Sequence, residues 1–426
     1  MDRGNIDNKG QKIAVLALCY YFVFGLSNVS YFLPVYYAQS GALTPREAGL
    51  IVSIFYIVSV FSRPFLAYVL SSLGFRRLFA WAGVLFVASA AAMAAFGLSF
   101  WPALAARGVM GLASSLYKIG FSTYQALAFR EGERGRAYSL IMAGELLPLM
   151  TIAPVADALI KAGRLDLYIL VPVAMSALSA VAAALIPGIS SSFAGAHTMR
   201  PPDVADSQRV EAGARFAPLR RADDSDCRPN NPFAGMGQCL GLRTFRLALL
   251  STFLFSMTDA AASFMSSMTA HYGLMASLFL SSNALVGVCV RLFLSRALDR
   301  FPRRILAAGT ILLTAGSLFL ASVNPNEASL VLLGLVFGVG MGFGFPLHLA
   351  LVADSVPHSR QAQASAMMWF TIGINFSAVP LLMGWFESRF GPVLILRGFA
   401  MLALLGAMAL CLQQEPQKIA TTSRQS

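Results

Sequence analysis

Charge is what this chain has least of. Only 12% of its 426 residues are Asp, Glu, Lys or Arg, about half the share of a soluble globular domain. Cysteine is sparse too: Cys19, Cys227, Cys239, Cys289 and Cys411 form no C-x-x-C pair, which excludes a disulfide framework and a zinc site. There is no G-x-x-x-x-G-K-[ST] loop and no soluble domain to hold one, which argues against an ATP-driven pump. The apolar stretches contain no H-E-x-x-H and no paired Asp, as a membrane-embedded enzyme would need. No dedicated filter element marks an ion channel. Gly338, Gly340, Gly342 and Gly344 alternate as in a dinucleotide loop, but no strand precedes them, so close helix packing is the better reading.

Apolar residues fill the space that charge leaves, at 57% of the chain. They cluster in stretches of about 20, each long enough to cross a ~30 Å hydrocarbon core as a helix. An open sheet could not do so, because lipid offers no partner to an unpaired amide. The pattern predicts an all-α membrane protein with about twelve spans, at 13–36, 46–70, 77–97, 100–127, 137–160, 167–187, 243–270, 277–298, 303–323, 328–353, 363–386 and 393–412. The first is too long for a signal-peptide core and reads as a retained span.

With both termini cytoplasmic, 23 of the 32 Lys and Arg lie on the cytoplasmic side, four lie outside (Arg46, Lys161, Arg164, Arg389) and five lie within spans. The opposite topology would invert this bias, so the positive-inside rule places the termini in the cytoplasm and the protein in an inner membrane. The net charge of +12 is then an orientation signal and not a nucleic-acid footprint. Residues 188–242 are rich in Ser, Pro, Gly, Asp and Arg and are expected to be a flexible cytoplasmic linker. They separate a six-span N-terminal bundle, 1–187, from a six-span C-terminal bundle, 243–412, with a tail at 413–426.

The two halves repeat each other. Arg63-Pro-Phe-Leu-Ala-Tyr-Val-Leu-Ser-Ser-Leu-Gly74, followed by Arg76-Arg77, aligns with Arg291-Leu-Phe-Leu-Ser-Arg-Ala-Leu-Asp299-Arg300-Phe-Pro, followed by Arg303-Arg304. Both copies end the second span of their half. A weaker echo joins Glu133-Arg-Gly-Arg-Ala-Tyr-Ser, after span 4, to His358-Ser-Arg-Gln-Ala-Gln-Ala-Ser, after span 10. Two matches in equivalent slots point to duplication, the usual architecture of secondary transporters.

These residues resemble the major facilitator superfamily over essentially the whole chain. The loop signature G-x-x-x-D-R-x-G-R-R is matched in part by Ala67, Gly74, Arg76 and Arg77, with Ser71 and Ser72 in place of Asp-Arg; the second copy keeps Asp299, Arg300, Arg303 and Arg304. Arg107-Gly-Val-Met-Gly111 resembles the span-4 motif whose arginine the family associates with proton coupling. The antiporter motif of span 5 is represented only by Ala153-Pro154-Val-Ala156-Asp157-Ala158. The run from Leu33-Pro34-Val-Tyr through Ala48-Gly49-Leu50 to Ser62-Arg63-Pro64 is most similar to bacterial efflux permeases for drugs and sugars. The resemblance implies two pseudo-symmetric six-helix bundles, no cofactor and no enzymatic activity.

An ionisable group near the bilayer centre costs at least ~2.5 kcal/mol, so each one asks for an explanation. In span 4, Arg107, Gly111, Ser114 and Lys118 form one polar stripe. At matching depths in antiparallel spans 4 and 5, Lys118 faces Glu145 and Arg107 faces Asp157, so two ion pairs are expected, either functional or purely structural. In span 7, Thr252, Ser256, Asp259, Ser263 and Ser266 line one face, with Asp259 the candidate proton-exchanging carboxylate or a hydrogen-bonded structural acid. Span 1 offers Tyr20, Phe24, Ser27, Asn28 and Tyr31 as a substrate face or a packing stripe. Thr371 and Asn375 in span 11 could complete the cavity. His348 could titrate near neutrality or be a satisfied packing residue. Arg63 and Arg291, related by the duplication, suit a cytoplasmic gate better than substrate contact. The combined expectation is a monomeric secondary transporter in the lipid bilayer of a bacterial inner membrane. It would move a small-molecule solute, amphipathic or sugar-like, with protons as coupling ion and efflux by antiport as the leading direction. Metabolite uptake is the alternative.

Overall fold

The computed structural model describes residues 3–129, 131–186, 232–293, 302–357 and 360–412. Every regular element among them is helical. Ten stretches are long and apolar enough to cross a membrane. The last, Gln363–Leu412, has 50 residues, about twice what a bilayer requires. It breaks at Gly391, where φ is 75°, a conformation that only glycine adopts cheaply, and Pro392 follows. It therefore holds spans 11 and 12. Span 4 is Phe100–Ala128, long enough to cross but less apolar because it carries Arg107 and Lys118. The twelve spans expected from the sequence are all present, and an even number returns both described ends of the chain to one side.

Spans 1–6 and 7–12 pack as two six-helix bundles, and the duplication extends to their irregularities. Span 1 runs as helix to Val29, tightens to a 3-10 turn at Ser30–Phe32 and resumes at Leu33–Ser40. Span 7 runs over Arg243–Ala262, breaks at Ser263 and Phe264, and resumes at Met265–His271. Glycines with positive φ end four spans on the side opposite the termini: Gly41 after span 1 matches Gly273 after span 7, and Gly163 after span 5 matches Gly391 after span 11.

Close helix contact explains the glycines of span 10, Glu327–Asp354. A Cβ at Gly334 would lie 2.6 Å from the Phe279 carbonyl oxygen, and one at Gly338 would lie 2.5 Å from that of Asn283. These glycines, one turn apart, let span 10 lie against span 8, Ala276–Phe293. The packing reading of the glycine run therefore holds, and nothing about it concerns a nucleotide.

The expected linker is shorter than its composition suggests. Pro232–Gly241 forms a helix, and Cys239 is fully buried with Phe245, Val352 and Met368. Phe233, Met236 and Leu240 recur at helical spacing, a pattern that the polar segment before them masks. The rest of the linker (residues 188–231) and the tail at 413–426 lie outside the described residues. So do Asp299, Arg300, His358 and Ser359, and the side chains at 67–74 and 131–139.

Replacing Gly338 with Leu should force spans 8 and 10 apart, lowering thermal stability by the 1–3 kcal/mol typical of overpacking. A thermal melt in detergent checks this. An unchanged melting temperature would contradict the packing.

Candidate functional site

Spans 2 and 11 meet along their whole length. Gly49, Tyr56 and Arg63 are seven residues apart and so share one face of span 2, Pro45–Arg63. A Cβ on Gly49 would lie 2.7 Å from the Pro380 carbonyl oxygen of span 11. The Tyr56 ring sits 5.1 Å from Phe376 and Phe61 sits 6.0 Å from Phe370. Arg46 stacks on Trp385 at one end and Arg63 on Trp369 at the other, with guanidinium-to-ring distances of 4.3 and 5.8 Å. Spans 5 and 8 make the equivalent seam. There Ser281 Oγ donates to the Leu149 carbonyl at 2.9 Å. The Ser277 amide, in the first turn of span 8, donates to Asp157 Oδ2 at 2.7 Å. Asp157 thus caps a helix of the other bundle, an anion at the positive end of a helix dipole.

Between these seams lies a layer of charge. Counted at 1.5 Å per residue from the ends opposite the termini, Arg63 and Lys118 lie about 27 Å deep, Glu145 about 24 Å and Arg291 about 22 Å. They come from spans 2, 4, 5 and 8. Arg291 Nη1 stands 4.0 Å from Glu145 Oε2, an ion pair between the bundles, with the side chains 13% and 27% exposed. Residual exposure at this depth, on a seam between bundles, means the pair borders a gap and is not sealed in packing. Lys118 lies within electrostatic reach of both Glu145 and Arg63, and its Nζ is 5.1 Å from the Phe24 ring centroid. Asp259 is within reach of Glu145 and Arg291. Tyr31 is within reach of Asp259, Glu145 and Tyr56. Among the described residues, neither Asp259 nor Lys118 makes a hydrogen bond or an ion pair. Three cations and two acids therefore share one layer with only one loose pair among them, an arrangement able to bind a charged solute and exchange a proton.

The helix breaks of spans 1 and 7 meet between this layer and the ends opposite the termini, where Ser266 Oγ donates to the Tyr31 carbonyl at 2.5 Å. Within the N-terminal bundle, Tyr168 donates to the Val29 carbonyl at 2.9 Å. Arg107 Nη1 donates to Ser30 Oγ, also at 2.9 Å. Carbonyls freed by the breaks are thus satisfied from other spans, as irregular backbone at membrane depth requires. Arg107 is 2% exposed, stacks on Phe55 at 4.6 Å and lies among Tyr37, Tyr56 and Tyr168. A recess of about 310 Å³ near the end of span 11, lined by Phe386, Phe390 and Leu394 among others, is almost wholly apolar and open. It is lipid-facing surface.

The profile of the Major Facilitator Superfamily matches residues 13–292 and 247–426. The chain belongs to the major facilitator superfamily. No curated protein matches it in sequence. The fold is similar to that of a POT family transporter in complex with a thioalcohol-conjugated peptide, at TM-score 0.70 and 13% identity over 95% of each chain. A POT family transporter in complex with 5-aminolevulinic acid gives TM-score 0.70 and 12% identity over 95% of each chain. A mutant of the peptide transporter POT gives 0.68 and 16%, covering 94% of this chain and 93% of the other. The protein is a multi-pass secondary transporter of the major facilitator type, and not an enzyme.

Within this superfamily frame the sequence placed most of the layer but mispaired it. The Lys118–Glu145 and Arg107–Asp157 ion pairs do not form: Glu145 turns to Arg291, Arg107 to Ser30, and Asp157 to the span 8 amide. The depths were matched, but span 5 packs along spans 1 and 8 and scarcely touches span 4. In span 1, Tyr20 stacks on Phe24 at 5.6 Å and on Phe121 at 5.1 Å, so it belongs to the bundle's own packing. Asn28 is buried, and its Nδ2 has no hydrogen-bond partner among the described residues. Asn375 Nδ2 donates to the Phe253 carbonyl at 2.8 Å and to Ser256 Oγ at 2.6 Å, joining span 11 to span 7. His348 bonds Gly344 O through Nδ1 and Ser251 Oγ through Nε2, with Phe255 stacked on its ring. It is a satisfied packing residue. Of the loop-motif residues, Arg76 and Arg77 are exposed, and Arg303 and Arg304 open span 9. Arg303 pairs with Asp354 at the end of span 10. The sequence reading passed over Tyr56, although it lies two turns before Arg63 on the same face.

Exchanging the charges of Glu145 and Arg291 together should restore transport better than either single reversal, measured as solute accumulation in vesicles. Equal loss in the single and double variants would contradict the pairing. Replacing Asp157 with Asn should loosen the seam at the start of span 8, raising labelling of a cysteine at Ser281 by an impermeant maleimide several-fold. Unchanged labelling would show that the cap does not hold the seam.

Proposed function

We propose that the protein exports a small amphipathic compound across a bacterial inner membrane in exchange for protons, working as a monomer by alternating access. In this reading the bundles of residues 1–187 and 243–412 rock about the charged layer, joined by the 188–242 segment. The observation that carries it is Asp259, a carboxylate at the meeting of the bundles that makes no hydrogen bond or ion pair among the described residues. It sits within reach of an acid and a cation from two other spans. A group so placed has its charge compensated by what the transport cycle brings, whether a proton or a positively charged part of the solute. Glu145 is the second candidate for proton exchange, and its pair with Arg291 would form and break as the bundles move.

Orientation follows from the distribution of Lys and Arg, which puts both termini in the cytoplasm. The Asp157–Ser277 and Tyr31–Ser266 contacts then lie toward the periplasmic side. Arg63 and Arg291, each reaching from one bundle to the other, lie toward the cytoplasmic side as gate residues. Efflux is supported by the resemblance of the Leu33–Pro64 region to bacterial efflux permeases. Charges of both signs favour an ionised compound over a neutral sugar. Uptake of a polar metabolite is the second reading, favoured by the same charges. The peptide and 5-aminolevulinic acid in the complexes of similar fold are small polar solutes of that kind.

The test is accumulation of a mixed solute panel by energised inverted membrane vesicles, read by mass spectrometry with and without a protonophore. Protonophore-sensitive accumulation of at least one compound is expected, and Asp259→Asn should reduce it to the protonophore-treated level between pH 6 and pH 8. Accumulation only in right-side-out vesicles would replace export by uptake. Normal, pH-independent transport by Asp259→Asn would remove that residue from coupling.

A further inference from the structure

Two cations in the layer, Arg63 and Lys118, form no ion pair among the described residues. The Arg63 guanidinium rests on Trp369 and the Lys118 ammonium on Phe24, and the two are close enough to repel each other. Neither forms an ion pair or a hydrogen bond among the described residues. The acid within reach of Lys118 is Glu145, which stands against Arg291 instead. An aromatic face stabilises one side of a cation and leaves its remaining N–H donors unspent. Two half-buried like charges held within reach of each other, with donors to spare, are stabilised when an anion joins them.

Two further observations bear on the shape of that anion. Asn28 lies one turn from Phe24 on the same face of span 1, is 5% exposed, and its Nδ2 finds no partner among the described residues. It is a donor available to a carbonyl or hydroxyl oxygen. Phe24, Tyr31, Tyr56 and Phe376 supply aromatic surface around the charges, with Tyr56 and Phe376 in ring contact across the bundles.

We infer that the central site takes an organic monoanion whose carboxylate sits between Lys118 and Arg63 and whose aromatic or apolar body lies along Phe24, Tyr31 and Tyr56. A single negative charge balances the three cations of the layer against its two acids. The inference rests on the reading of this layer as the transport site and adds the class of solute. Asp259, within reach of Glu145 and Arg291, remains free to exchange a proton while the anion is bound. The oxygen acceptor that Asn28 calls for distinguishes a hydroxy- or acyl-substituted acid from a plain one.

The experiment is binding to the purified full-length protein in detergent, read by tryptophan fluorescence and by thermal stabilisation. The probes are 4-phenylbutyrate, its isosteric amide 4-phenylbutyramide and the amine 4-phenylbutylamine. The carboxylate should bind at least tenfold more tightly than either analogue. Lys118→Gln and Arg63→Gln should each lose tenfold or more for the carboxylate alone, while Lys118→Arg, which keeps the charge, should retain most of the affinity. Size-exclusion profiles of the variants separate misfolding from loss of the site, and the retained affinity of Lys118→Arg keeps the test informative if a Gln variant fails to fold. The inference is overturned if the amide or amine binds as tightly as the carboxylate, if no carboxylate binding is detected, or if both Gln variants bind it normally. Protonophore-sensitive export of a cationic or neutral compound would sink the monoanion and leave export standing. Carboxylate binding without protonophore-sensitive movement in inverted vesicles would do the reverse.

Discussion

A charge inside a membrane bundle must have a partner, and the arrangement of this protein follows from how each of its charges meets that demand. Some are met locally. Arg397 donates to the hydroxyl and carbonyl of Ser322 at 3.2 and 2.6 Å and Arg303 pairs with Asp354, whereas Arg107 braces the span 1 break through Nη1 while its Nε and Nη2 have no partner among the described residues. Asp157 is met from the opposite bundle by a helix N-terminus. Arg63, Lys118, Glu145, Asp259 and Arg291 are met only in part, and all five gather where the bundles face each other.

The seam between the bundles combines contacts that can close tightly with contacts that can part. Glycine against backbone at Gly49 and helix capping at Asp157 give close, specific contact on the side opposite the termini. Arg63 over Trp369 and the 4.0 Å Arg291–Glu145 pair give looser contact on the other. Arg63 and Arg291 occupy the same slot of the duplication, and each reaches an element of the opposite bundle. The helix breaks of spans 1 and 7 touch through Ser266 and the Tyr31 carbonyl, so the two irregular points of the fold form part of the same seam.

The fold was legible in the sequence because it depends on apolar length, a pattern that lipid enforces, and on the repeat around Arg63 and Arg291. The polar stripes of spans 1, 4 and 7 were legible for the same reason, since helical periodicity puts Phe24, Asn28 and Tyr31 on one face. Pairing was not. Matching depth along antiparallel spans says which residues are level, but only packing says which spans are neighbours, and span 5 turned its back on span 4. Tyr56 was missed because an aromatic in an apolar helix carries no signal until Phe376 stands opposite it. The Pro232–Gly241 helix was hidden by the polar segment that precedes it.

The central claim is that the charged layer is the point to which both sides of the membrane gain access in turn. The most direct measurement is labelling of a single cysteine at Tyr56, in a background with Cys19, Cys227, Cys239, Cys289 and Cys411 replaced, by an impermeant thiol reagent. It is applied to right-side-out and inverted vesicles with the proton gradient imposed in either direction. The account predicts labelling from each side, with the preferred side reversing when the gradient is reversed. A cysteine reached from neither side, or from one side under every condition, would contradict it.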